Sequence, residues 1–101
     1  MKTETLRKYE LMVIVDAKLA NEEKETVRRE ATEAVTKAGG KVFNSQVWLE
    51  KQKFSFSIKK CAEGTYYLIN FEGEGAVVDP IRSNLKLNER ILRFVVTKVD
   101  S

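Results

Sequence analysis

The sequence predicts an α+β domain, a four-stranded antiparallel sheet with two helices packed on one of its faces. Three observations predict it. Four stretches read as strands, by period-two alternation or by aromatic and branched content. Two others space apolar residues three and four apart, as an amphipathic helix does. Along the chain they run β-α-β-β-α-β, and each helix has one apolar stripe, so both cover the same sheet face. Right-handed crossovers then place the first and third strands at the centre and the second and fourth at the edges. That is a ferredoxin-like β-α-β-β-α-β sandwich whose other sheet face stays open.

Each element has its own reason. Met1 to Leu6 is polar and reads as a flexible end. In Arg7 to Val15, Tyr9, Leu11, Val13 and Val15 share one face, while Met12 and Ile14 make the other partly apolar. A strand apolar on both faces belongs in the middle of a sheet. Asn21 is placed to cap the first helix, with Glu22 and Glu23 in its first turn where the helix dipole favours negative charge. Val27, Ala31, Ala34, Val35 and Ala38 form its buried stripe, and Gly39-Gly40 ends it. On its exposed side, Glu25 with Arg29 and Glu33 with Lys37 are spaced to pair.

Lys41 to Lys60 is a long extended segment whose alternation is clean only from Lys53 onward. Around Trp48 to Glu50 the phase slips, which a bulge or bend would restore. Cys61 to Gly64 reads as a hairpin loop with Gly64 free to take a positive φ, and Thr65 to Phe71 as the returning strand. Val78, Ile81 and Leu85 mark the second helix, entered at Asp79-Pro80 or one turn earlier, with Asn84 or Asn88 at its end. Glu89 to Val99 is the last strand.

Composition narrows the function. A chain of 101 residues fits one domain spanning residues 1–101. The longest apolar run near its start, Leu11 to Val15, is too short for a signal peptide or a membrane span, so a soluble cytoplasmic protein is expected. One cysteine, Cys61, excludes an internal disulfide and reads as a free thiol; with no histidine, neither a zinc site nor the commonest general base is available. Gly39-Gly40 and Gly73-Glu74-Gly75 match no phosphate-cradling loop. Neither an enzyme nor a cofactor site is expected.

The net charge of +3 is modest, but its distribution is uneven. Lys41 to Lys60 holds five lysines against one glutamate, and Arg82 to Lys98 five basic residues against one glutamate. The charged residues from Glu63 to Asp79 are all acidic. Lysines along edge strands serve to block sheet-to-sheet aggregation. Arginines speak more for phosphate, because the planar guanidinium matches its geometry. Trp48, Tyr66 and Tyr67 also raise base stacking on an open sheet, although Gly64 to Phe71 fits the RNA-recognition-motif signature only loosely. Tyr66 and Tyr67 point oppositely, so one of them belongs to the core.

Taken together, RKYELMVIV, the Gly39-Gly40 break, Trp48 before a basic segment, IKK-x-x-EGTYYLINF and LKLNERILRFVVTK resemble the bacterial small-subunit ribosomal protein S6 family. The similarity runs from Arg7 to Val99. The resemblance implies a structural protein of the small ribosomal subunit that binds the central domain of small-subunit rRNA beside ribosomal protein S18 and is monomeric outside the ribosome. Position by position, Arg7 and Lys8 match the basic pair before the family's Tyr-Glu, and Lys53 a basic position ahead of its Leu-Ala-Tyr-Pro-Ile, which reads here Phe54-Ser55-Phe56-Ser57-Ile58. Lys86 and Arg93 match basic positions at the end of the second helix and in the last strand. With Arg90 and Lys51 they make the expected rRNA-binding set. Trp48, Tyr66 and Leu68, on the open face and the second strand's edge, are the expected surface for the partner, with Trp48 its anchor, although Trp48 would serve equally well in the core. The family's Trp-Gly-Lys-Arg is replaced here by Trp48-Leu49-Glu50-Lys51-Gln52, and its usual proline by Ser57. The competing reading is a metabolite-binding or oligomerising regulatory module of the same fold.

Overall fold

The computed structural model describes residues 6–58 and 61–99. Strand β1 is Arg7–Asp16, helix α1 Asn21–Lys37, β2 Lys41–Ile58, β3 Cys61–Gly73, α2 Val78–Lys86 and β4 Ile91–Val99. The sheet order is β2-β3-β1-β4, antiparallel at every pairing. The expected central and edge strands are therefore the observed ones.

The core lies between the sheet and the two helices. Leu11, Val13 and Val15 of β1, Ile69 and Phe71 of β3, Val27, Ala31 and Val35 of α1, and Ile81 and Leu85 of α2 are all buried within it. The Tyr9 and Phe71 rings stack at 5.3 Å. Tyr67 is the core tyrosine. The opposite strand face carries Glu10, Met12 and Ile14, with Asn70, Leu68 and Tyr66 as their partners on β3.

Helix α1 ends as its glycines predict. Gly39 takes φ +103°, its N–H donates to the Thr36 carbonyl at 3.1 Å, and the Gly40 N–H to the Val35 carbonyl at 2.9 Å. This is the six-to-one and five-to-two pattern of a Schellman motif, which satisfies carbonyls the helix leaves open. The start differs from expectation. Ala20 is the cap residue, with no side-chain bond, and Asn21 is already helical. Asp16 bonds the chain locally instead, accepting from the Lys18 N–H at 3.0 Å. On the exposed side Glu25 pairs with Arg28, three residues on, in place of Arg29, and Arg28 also reaches the Ser45 hydroxyl. The Glu33–Lys37 pair does not close. Helix α2 begins at Val78, one residue before Asp79-Pro80, directly after a short 3₁₀ turn at Gly75–Val77. Pro80 is its third residue, where the missing N–H has no helical partner to lose. The helix closes on Leu87.

The hairpin between β2 and β3 is tighter than expected. Cys61 to Gly64 already belongs to β3, and the link lies outside the described residues. Gly64 has no positive φ. It is buried in the strand, and a Cβ there would lie 2.4 Å from Phe54 Cζ and 2.8 Å from Ile14 Cγ2. Glycine is required for close approach, not for a turn.

The phase slip in β2 is a series of bulges. Register against β3 shifts between Val42 and Asn44, between Val47 and Leu49, between Leu49 and Gln52, and again between Lys53 and Ile58. Each of the first three inserts one extra residue on β2, and the first two inserted residues are Phe43 and Trp48. At the third, the Glu50 carbonyl accepts from the buried Thr65 hydroxyl at 2.6 Å. Bulges of this kind twist an edge strand and blunt it against further pairing.

Tyr67 links this segment to α1. Burial raises its phenol above the ordinary value, Glu25 adds to the rise, Arg28 opposes it and Glu50 adds further. The folded chain therefore holds this proton more tightly than the unfolded one. Its contribution to stability is complete below the unfolded tyrosine value of about 10 and falls as pH rises through it. Urea midpoints measured from pH 8 to 11 should drop more steeply for the wild type than for Tyr67→Phe. Parallel curves would show that another group carries the alkaline limb.

Candidate RNA and partner interfaces

The structure divides the expected rRNA residues into three groups. Arg7 and Lys8 are exposed at the start of β1, with Lys8 between Glu72 of β3 and Val99 of β4. Lys86 ends α2, and Arg90 and Arg93 lead into and along β4, all three exposed. Arg93 stands opposite Ile14, six residues along β1 from Lys8 or roughly 20 Å at strand rise. Lys53 is elsewhere. It faces Glu63 on the β2–β3 ribbon, past the last pairing with β1 at Asp16 and Gly64. It lies across a sheet whose outer strands are about 14 Å apart. The side chain of Lys51 lies outside the described residues.

Five of the seven thus collect on the β4 side, and β4 itself contains no acidic residue. Lys98 adds a further exposed cation on β4, opposite Tyr9 and so on the helix-side face of the strand, the face opposite to that of Lys8 and Arg93. Strand alternation puts Lys98 and Arg93 on opposite faces, because an odd number of residues separates them. Arg90 differs from the others in its acidic surroundings: it stands at the rim of a groove that also holds Glu30 and Glu33. Its backbone N–H donates to Asn88 Oδ1 at 3.0 Å and leaves the guanidinium unheld by that bond.

The three expected partner residues do come together. Tyr66 and Leu68 share the open face beside Ile14 and Met12. Trp48, pushed out by its bulge, meets Tyr66 edge-on at 6.0 Å and is 51% exposed. It is not core. Phe54 tilts against Tyr66 from the other side at 6.4 Å. Leu49 and Val95 extend the apolar area, Leu49 as the β2 partner of Tyr66 and Val95 as the β4 partner of Met12.

Among the described residues, no cluster of three or more histidine, cysteine, aspartate or glutamate side chains is arranged to hold a metal ion. No described helix is long and apolar enough to cross a membrane.

Comparison with known proteins agrees with this architecture. Residues 8–98 match the family model described as ribosomal protein S6. The small ribosomal subunit protein bS6 of Micrococcus luteus is 39% identical over 93 residues, which cover 92% of this chain and 91% of that one. The bS6 protein of Heliobacterium modesticaldum is 33% identical over 94% of this chain and 98% of its own. The crystal structure of 30S ribosomal protein S6 from Thermotoga maritima superposes with a TM-score of 0.86 at 24% identity, over 94% of this chain and 89% of that one, and shares its fold. The chain belongs to the ribosomal protein S6 family, as a structural, non-enzymatic protein of the small subunit and hence of the cytoplasmic ribosome.

Proposed function

We propose that this chain binds the central domain of small-subunit rRNA through phosphate contacts along its β4 side while its open sheet face carries ribosomal protein S18. The observation that supports this most is the collection of Arg7, Lys8, Lys86, Arg90, Arg93 and Lys98 around an edge strand without one carboxylate. Lysine alone would suffice to protect an edge, but the guanidinium groups of Arg90 and Arg93 add the geometry that phosphate prefers. Lys53 makes a separate contact from the opposite edge, with Lys51 beside it in sequence. Trp48, Tyr66 and Leu68 supply the apolar centre of the protein contact, a half-exposed tryptophan being a frequent anchor. The free chain is a monomer.

The test is the salt dependence of binding to a central-domain rRNA fragment with S18 present. Neutralising Arg7, Lys8 and Arg93 to glutamine should lower the slope of log K against log salt by about one per lost contact, and weaken binding at low salt. Lys53→Gln should lower it independently. A wild-type chain that forms a stable homodimer and shows no rRNA affinity with S18 present would overturn the proposal.

A further inference from the structure

A polar row crosses the open face just below its apolar area. Glu10 of β1, Asn70 of β3 and Asn44 of β2 are register partners. Asn44 Nδ2 donates to Asn70 Oδ1 at 3.2 Å, and Asn70 Nδ2 donates to Glu10 Oε2 at 3.4 Å. The direction of this row follows from one residue. An ionised carboxylate only accepts, so Asn70 must turn its nitrogen toward Glu10 and its oxygen toward Asn44. Asn44 must then turn its own nitrogen inward. The ends of the row are an amide oxygen on β2 and a half-buried carboxylate on β1.

Glu10 has no ion pair among the described residues. Lys8, two residues earlier on the same face, stands opposite Glu72 instead. Next to Glu10 on the other side are Met12, Leu68 and Val95. A fixed negative charge at the border of an apolar area repels phosphate and favours a cation whose neighbours are apolar.

We propose that Glu10, held by Asn70 and Asn44, is the charged anchor of the open face and receives an arginine or lysine side chain of a basic partner protein. Apolar residues of that partner cover Met12, Leu68 and Val95. The inference rests on the reading of the open face as the protein-binding surface. It assigns the chemistry of the contact and a residue that composition did not single out.

The test is calorimetric titration of this chain with ribosomal protein S18, using Glu10→Gln and, separately, Leu68→Ser. Glutamine keeps the size of Glu10 and an oxygen for Asn70 but removes the charge. Glu10→Gln should weaken the complex by about ten- to a hundredfold, the range for a hydrogen bond to a charged group, with the melting temperature unchanged. Its affinity for S18 should also become less sensitive to salt. If Leu68→Ser weakens binding and Glu10→Gln does not, the anchor is overturned and the partner surface stands. If neither variant differs from the wild type, or the wild type does not bind, the partner surface itself is wrong. Tighter binding of rRNA by Glu10→Gln in the absence of S18 would place the row against phosphate and also overturn the anchor.

Discussion

Phe71→Ala should lower the unfolding free energy by about 3–5 kcal/mol, the cost of deleting a large buried aromatic and leaving a cavity. Phe71 is fully buried, stacks on Tyr9 and lies beneath the turn where α1 hands over to β2. A Cβ on Gly40 would come within 3.2 Å of its ring. The cavity is bounded by central strands on one side and by a fixed helix terminus on the other, so little can collapse into it. Against a total stability of about 5–15 kcal/mol for a domain of ordinary stability, this is a large fraction. Phe43 provides the contrast. It is the residue left over at the first bulge and is 56% exposed, so Phe43→Ala should change stability by no more than about 0.5 kcal/mol. Urea unfolding measures both, as a shift in midpoint at constant slope. A loss below about 1 kcal/mol for Phe71→Ala would mean that the core is not organised around this ring.

Gly64→Ala should destabilise by about 1–3 kcal/mol, although alanine usually favours a strand over glycine. Two effects oppose each other. With no positive φ to preserve, alanine would restrict the unfolded chain and stabilise by about 0.4–1 kcal/mol. The added methyl, however, meets both the Phe54 ring and the Ile14 Cγ2 methyl below 3 Å. Phe54 could swing aside, but Ile14 is itself buried in the centre of the sheet and cannot. The steric cost therefore wins. Displacing Phe54 would also disturb its packing on Tyr66, so the variant should bind the partner protein more weakly as well. Gly75→Ala is the control: nothing approaches its Cβ position within 3.7 Å and its φ is not positive, so only the entropic gain remains. Equal behaviour of the two variants, measured by urea unfolding, would show that the close approach at Gly64 is absent.

How much of this was legible beforehand differs from residue to residue. The family resemblance was carried by local strings such as RKYEL and LNERILRF, and the comparisons agree with it. The clustering of Arg93 with Lys86 and Arg90 was also visible, because all three lie within a short stretch of chain. That the start of β1 and the end of β4 lie side by side was not. Ninety residues lie between Lys8 and Val99 in sequence, and only the strand pairing brings them opposite each other. Glu10, Asn70 and Asn44 were passed over for the same reason. Each is an ordinary polar residue alone, and only the register of three strands makes them one row.

The sequence by itself determined the element order, both apolar stripes, the end of α1 and the place where β2 loses its phase. These depend on the 3.6- and 2-residue periods and on the freedom of Gly39, which act over a few neighbouring residues. The tertiary structure alone decided that Gly64 is a point of close approach and that Trp48 stands outside the core. It also decided that α1 starts without a side-chain cap. Each of the first three bulges in β2 shifts every later pairing by one residue, and the irregularity between Lys53 and Ile58 by more, so no local pattern can place the side chains beyond them. Once three strands lie side by side, register alone sets which of their residues meet.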